Sequence, residues 1–254
     1  MISKNKIKYI QSLHRKKIRD QELLFLVEGD KLVKEAFKSN FNVKTLCAKP
    51  DFIAENRLCI PKSVDLIEVT AVELKKISIL QSPQRALALV EMPQLVSFQE
   101  KMLRGLSLVL DGIQDPGNLG TIIRSADWFG IENIYCSSDT VDCYNPKVIQ
   151  ATMGAIFRVH IHYLGLSELL QKAFDANVPS YGAFLEGNCI YDTNISDDAI
   201  LVMGNEGNGI RPEIESHITE RINIPTYALR GSESLNVGIA TSICLAEFRR
   251  RTYR

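Results

Sequence analysis

No apolar run in the 254 residues approaches the ~20 needed to cross a bilayer, so no membrane partner is expected. The basic amino terminus, MISKNKIKYIQSLHRKK, is not followed by the apolar stretch of a secretory signal, which points to a cytoplasmic protein. There is no C-x-x-C pair. Cys47, Cys59, Cys136, Cys143, Cys189 and Cys244 are scattered, as reduced thiols would be, rather than arranged as a disulfide frame or a zinc site. The four histidines lack metal-ligand spacing, and His160 and His162, two apart on one strand face, read as structural. No Gly-Lys-Ser/Thr follows a glycine-rich loop and no G-x-G-x-x-G occurs, which excludes a P-loop and a dinucleotide fingerprint. Asn194-Ile-Ser196 fits a glycosylation pattern, but without secretion it carries no meaning.

Net charge is also absent, with 30 Lys/Arg against 30 Asp/Glu. It is unevenly spread. Residues 1–95 hold 17 Lys/Arg and 11 Asp/Glu (+6), and residues 96–254 hold 13 and 19 (−6). The first part is therefore the better candidate for a polyanion, although surface variation produces such imbalances too.

The stretch Leu108 to Gly130, LVLDGIQDPGNLGTIIRSADWFG, organises the chain. An apolar strand ends at Asp111. Gly112, Pro116, Gly117 and Gly120 force a turn, and a helix follows with Ile122, Ile123, Ala126 and Phe129 on one face. Asn118 suits its N-cap and Gly130 its stop. Arg124 lies in the second turn and can point back towards the loop.

Ahead of this stretch, residues 3–19 form a basic segment of loosely helical spacing. Strands are expected at 23–27, 43–48, 57–60 and 85–90, with helices after Gly29 and after the capping box Thr70-Ala-Val-Glu73. Beyond it, strands at 134–136, 158–162, 180–184, 201–204 and 221–224 alternate with helices. One helix opens at Asn145-Pro146, and the closing one runs from Ser234 to about Arg250. Such alternation implies an α/β fold whose mostly parallel sheet is flanked by helices, with ligands beyond the strands' carboxyl ends. The expected layout is an α/β domain over 1–95, a linker over 96–105 and a larger domain over 106–254.

The stretch carrying Asn118 and Arg124 resembles the first signature of the SpoU/TrmH-type RNA ribose 2′-O-methyltransferases, of the SPOUT superfamily. Two further stretches match in order. They are Leu201-Val-Met-Gly-Asn-Glu-Gly-Asn-Gly209, and Ile224-Pro225 followed by Ser234-Leu-Asn-Val-Gly-Ile-Ala240. Phe25 to Ala36 resembles the small RNA-binding domain that precedes many such catalytic domains and is related to a ribosomal protein. A generic strand–helix corner would also satisfy that stretch.

The resemblance implies S-adenosyl-L-methionine as cofactor, a trefoil knot in the C-terminal sheet and a homodimer. Cofactor contacts carried onto this chain are Gly204, Ile224, Leu235, Phe184 and the neighbouring Glu206, which the family places at the subunit interface. Ile224 and Leu235 could clasp a flat base, and simple core packing would explain them equally well. The implied catalytic set is Arg124, Asn118, Ser234 and Asn236. A guanidinium is a poor base, so Arg124 reads first as a charge that binds phosphate and steadies a developing alkoxide. Asn118 would position the ribose or the arginine, and Ser234 and Asn236 would hold Arg124 or the cofactor.

Two features depart from the pattern: a loop over 225–233 about two residues longer than usual, and Gly238 where a small hydroxyl residue is common. The expected substrate is ribosomal RNA in preference to transfer RNA. A non-catalytic RNA-binding or ribosome-assembly protein on the same scaffold is the alternative.

Overall fold

A computed structural model describes residues 2–94, 98–227 and 234–252, and they form two compact units. The first comprises residues 1–94 and 142–158, and the second residues 95–141 and 159–254.

The first unit opens with two helices, α1 (Lys4–Ser12) and α2 (Lys16–Glu22), where the sequence suggested one basic helical segment. Then follow β1 (Leu24–Glu28), α3 (Asp30–Lys38), β2 (Val43–Ala48), α4 (Pro50–Asn56), β3 (Asp65–Glu68), α5 (Ala71–Ile77) and β4 (Ala86–Glu91). The sheet order is β1-β4-β2-β3, antiparallel except for the β2–β3 pair. The capping box forms as expected, with Thr70 Oγ1 accepting from the Glu73 N–H and Glu73 accepting from the Thr70 N–H. The strand expected at 57–60 is a turn in which Leu58 is fully exposed. The strand lies later, at β3, an edge strand with little buried surface and so little apolar signal.

The second unit begins with β5 (Leu106–Leu110), α6 (Pro116–Trp128) and β6 (Asn133–Cys136). The chain then returns to the first unit for α7 (Pro146–Thr152), capped by Asn145. Local sequence could not reveal this return, because it rests on contacts over a hundred residues away. The Tyr144 ring sits 4.6 Å from that of Phe25, and Arg19, 2% exposed, reaches Asp142 at 2.5 Å.

The second unit resumes with β7 (His160–Tyr163), α8 (Leu166–Asp175), β8 (Ser180–Cys189), β9 (Ala199–Met203), α9 (Pro212–Glu215), β10 (Glu220–Asn223) and α10 (Val237–Thr252). Its six strands run in the order β10-β8-β9-β5-β6-β7, and every pair is parallel. The central strands β5 and β9 are buried at every residue. Sheets covered on both faces demand such unbroken apolar runs. On one face Val109, Tyr135, Ile200 and Val202 pack against Leu169 and Leu170 of α8. No described helix is long and apolar enough to cross a membrane.

Candidate active site

The start of α6 decides the geometry. Asp115, not Asn118, is the N-cap, and its carboxylate accepts the Asn118 N–H at 2.8 Å. Pro116 takes the first helical position, where no donor is needed, and an acidic cap suits the positive end of the helix. Asn118 is thereby displaced inside the first turn and its side chain is released from capping. Its Nδ2 donates to Glu206 Oε1 at 2.8 Å, and its Oδ1 accepts from Asn236 Nδ2 at 2.8 Å. With donor and acceptor both engaged, the amide has one orientation.

Asn236 does the capping for α10, since its Oδ1 accepts from the N–H groups of Gly238 at 3.0 Å and Ile239 at 3.3 Å. The helix therefore begins at Val237 rather than at Ser234. Gly238 now has a reason. A Cβ there would lie 3.1 Å from Thr121 Cγ2 and 3.2 Å from Asn236 Oδ1, so the bare backbone lets α10 close on α6 beside the Asn118–Asn236 bond.

After β9 the chain doubles back. Asn205 and Gly209 exchange backbone hydrogen bonds of 2.9 and 3.0 Å. Gly204 lies under this closure, where a Cβ would stand 2.2 Å from the Gly209 carbonyl carbon and 2.3 Å from the Ile210 nitrogen. Three polar residues that sequence reasoning did not single out organise the loop. Asn205 Nδ2 donates to the Gly112 carbonyl at 2.7 Å, while its Oδ1 accepts from the Gly207 and Asn208 N–H groups. Asp111, 1% exposed at the end of β5, accepts from the Arg211 N–H at 2.8 Å, from Nε at 2.7 Å and from a terminal nitrogen at 2.5 Å. The Asp111 hydrogen bonds push the Arg211 guanidinium above its ordinary pKa. Asp139, 3.5 Å from Arg211, is held below the usual carboxylate range chiefly by hydrogen bonding from Ser137, with the Arg211 charge acting the same way. The available signal was an acid closing an apolar strand and an arginine just past a glycine-rich loop.

Of the expected site residues, Asn118, Glu206 and Asn236 are joined directly. Ser234 and Leu235 immediately precede Asn236 and are exposed, Leu235 at 49%. Ile224 follows β10 and is half-buried. Residues 228–233 of the loop expected to be long lie outside the described residues. Arg124 is exposed on α6, and no side chain among the described residues pairs with it. The Phe184 ring is covered by the Arg221 guanidinium, 3.8 Å from its centroid, so that face is already taken. His162 stacks on Tyr135 at 5.3 Å, a structural role, and no described cluster could hold a metal.

Known proteins place this geometry. The SpoU rRNA Methylase family model matches residues 105–246, and the MRM3-like substrate binding domain model matches residues 4–88. The chain is 31% identical over 252 residues to the Bacillus subtilis 23S rRNA (guanosine(2553)-2′-O)-methyltransferase RlmP, covering 96% of each. A protein from Porphyromonas gingivalis described as an RNA methyltransferase of the TrmH family superposes with a TM-score of 0.90 at 39% identity, covering 99% of each chain. An AdoMet-bound rRNA methyltransferase from Sinorhizobium meliloti superposes at 0.85 with 29% identity, covering 100% of this chain and 97% of the other.

Proposed function

The chain belongs to the SpoU rRNA methylase family, and on that premise we propose that it transfers a methyl group from S-adenosyl-L-methionine to a ribose 2′-hydroxyl of ribosomal RNA. The observation that carries this reading is the bonded row Glu206–Asn118–Asn236. It joins three segments far apart in sequence, and the middle one, α6, also carries the exposed Arg124.

S-adenosyl-L-methionine supplies an activated methyl group when bound. The residues at the strand ends fit it. Ile224 and Leu235 are apolar yet only partly covered, as a flat base requires, and the Gly204–Gly209 turn offers backbone groups at the carboxyl end of β9. Phe184 contributes as a wall under Arg221 and not as a free stacking face.

The ribose hydroxyl would give its proton to water as its oxygen takes the methyl group and the cofactor's sulfur keeps the bonding pair. A guanidinium is a poor base, so the role of Arg124 is to hold the adjoining phosphate and stabilise the oxyanion as it develops. Asn118, pinned on both sides, positions the ribose. Ser234, two residues before Asn236, adds a hydroxyl.

Domain and partner assignments belong to the same reading. The 1–95 segment, with its surplus of cations and its match to a substrate-binding domain, grips the RNA, and 106–254 performs the transfer. The family relation supports a knotted C-terminal connection and a homodimer. Trp128, 84% exposed on α6, and Ile239, 53% exposed on α10, are apolar surface that a second copy would cover. Six cysteines without a disulfide among the described residues suit the cytoplasm.

The test uses labelled S-adenosyl-L-methionine with unmodified ribosomal and transfer RNA pools, and Arg124→Ala beside the wild type. Label is expected in ribosomal RNA as 2′-O-methylribose and is expected to vanish in the variant. Label in transfer RNA alone would move the substrate class. Absence of both label and cofactor binding would leave a non-catalytic RNA-binding protein.

A further inference from the structure

We infer that Asp111, Arg211 and Asn205 are positioning residues for the methyl transfer, a brace that holds Glu206 where it can orient Asn118. The inference rests on the function proposed above and deepens it. Two independent links tie the loop after β9 to the end of β5, and they flank Glu206. On one side Asn205 donates to the Gly112 carbonyl at 2.7 Å. On the other, Arg211 gives three N–H groups to the Asp111 carboxylate at 2.5–2.8 Å. Asp111 and Gly112 also root the turn that leads to Asp115 and Asn118. The Glu206–Asn118 bond therefore closes a ring whose opposite side is the Asp111–Arg211 pair.

Stability alone does not explain the pair. The carboxylate is buried while the Arg211 side chain is 40% exposed, so burying the acid costs desolvation and solvent weakens the attraction that offsets it. What it does supply is direction. Two guanidinium donors, Nε and a terminal nitrogen, converge on Asp111 Oδ1, and the third bond, from the Arg211 backbone N–H to Oδ2, fixes the main chain as well as the side chain. Lysine would bring the charge without the fork. Glu206 itself is exposed and would otherwise sample many rotamers.

The experiment compares the full chain with Arg211→Lys, Arg211→Gln and the double variant Asp111→Asn/Arg211→Gln, which removes both charges and leaves no buried carboxylate unpaired. Methyl transfer to ribosomal RNA is measured against RNA concentration, together with thermal unfolding and the NMR exchange of the Asn118 side-chain amide. The expected result for all three is a fall in kcat of about 100-fold, the size a displacement near 1 Å produces. KM for RNA should stay within about threefold, and the protected Asn118 amide signal should disappear. The double variant should melt close to wild type yet stay slow. Unchanged kcat, or an Asn118 amide still protected in the variants, would overturn the inference. If the wild type transfers no methyl group, the functional reading fails by itself. The Asn118 exchange would still decide the brace: loss in the variants supports it and retention refutes it.

Discussion

Replacing Arg19 with methionine should expose how the first unit holds residues 142–158. The Arg19 side chain is 2% exposed and Asp142 is 11% exposed, with 2.5 Å between them. Arg19 also donates to the carbonyls of Leu13 at 3.0 Å and His14 at 2.9 Å. Methionine keeps much of the volume but leaves Asp142 as a buried charge without its partner. Breaking such a pair from one side costs about 3–5 kcal/mol, a large share of the roughly 5–15 kcal/mol that holds a domain folded. At about 2–4 °C per kcal/mol the melting temperature should fall by roughly 6–20 °C. Adding Asp142→Asn removes the stranded charge and preserves an acceptor for the Tyr144 N–H, which Asp142 Oδ1 binds at 3.0 Å. The double variant should regain about 2 kcal/mol relative to Arg19→Met, a coupling typical of residues in direct contact. Circular-dichroism melts, with hydrogen exchange followed on β1 and β4, would measure it. The reasoning is refuted if Arg19→Met costs under about 1 kcal/mol, or if the second substitution restores nothing.

Other perturbations have equally definite outcomes. Gly204→Ala places a Cβ 2.2–2.5 Å from the Gly209 and Ile210 backbone, so the loop must open, and calorimetric titration should show cofactor binding weakened at least 10-fold. Asn118→Ala should slow transfer about 100-fold while shifting stability by no more than about 1 kcal/mol, because the site is partly open; intact kinetics would remove Asn118 from the site. Glu28 is 4% exposed and accepts from Ser78 Oγ and the Ile79 N–H; burial raises its pKa despite those bonds. A carboxyl raised in the folded state is most stabilising while protonated, below its ordinary value, and loses that contribution as pH rises through the folded value. Glu28→Gln should therefore raise the melting temperature at pH 7.5 and make little difference at pH 4, and a gain confined to acid pH would contradict this.

Sequence alone determined the strand–helix order of the second unit, the Thr70–Glu73 capping box and the three signatures. Each is written in residues a few positions apart, where apolar period, proline and glycine act through local backbone preference. The resemblance over Leu108–Gly130, Leu201–Gly209 and Ile224–Ala240 also named Asn118, Glu206 and Asn236, which the fold joins by hydrogen bonds. Tertiary structure decided what local preference leaves degenerate. Asp115 and Asn118 are both good caps, and only the Asp-Pro geometry together with Glu206 and Asn236 assigns capping to the first and bridging to the second. Asp111 and Arg211 stand 100 residues apart and become a pair only when β5 and β9 lie side by side. Residues 142–158 join the first unit through a buried charge pair and a tilted pair of packed rings, contacts whose partners the chain brings together only by folding. The physical reason is the same in each case. Propensity acts over a few residues, whereas a buried polar group must find its partner wherever the fold has placed one.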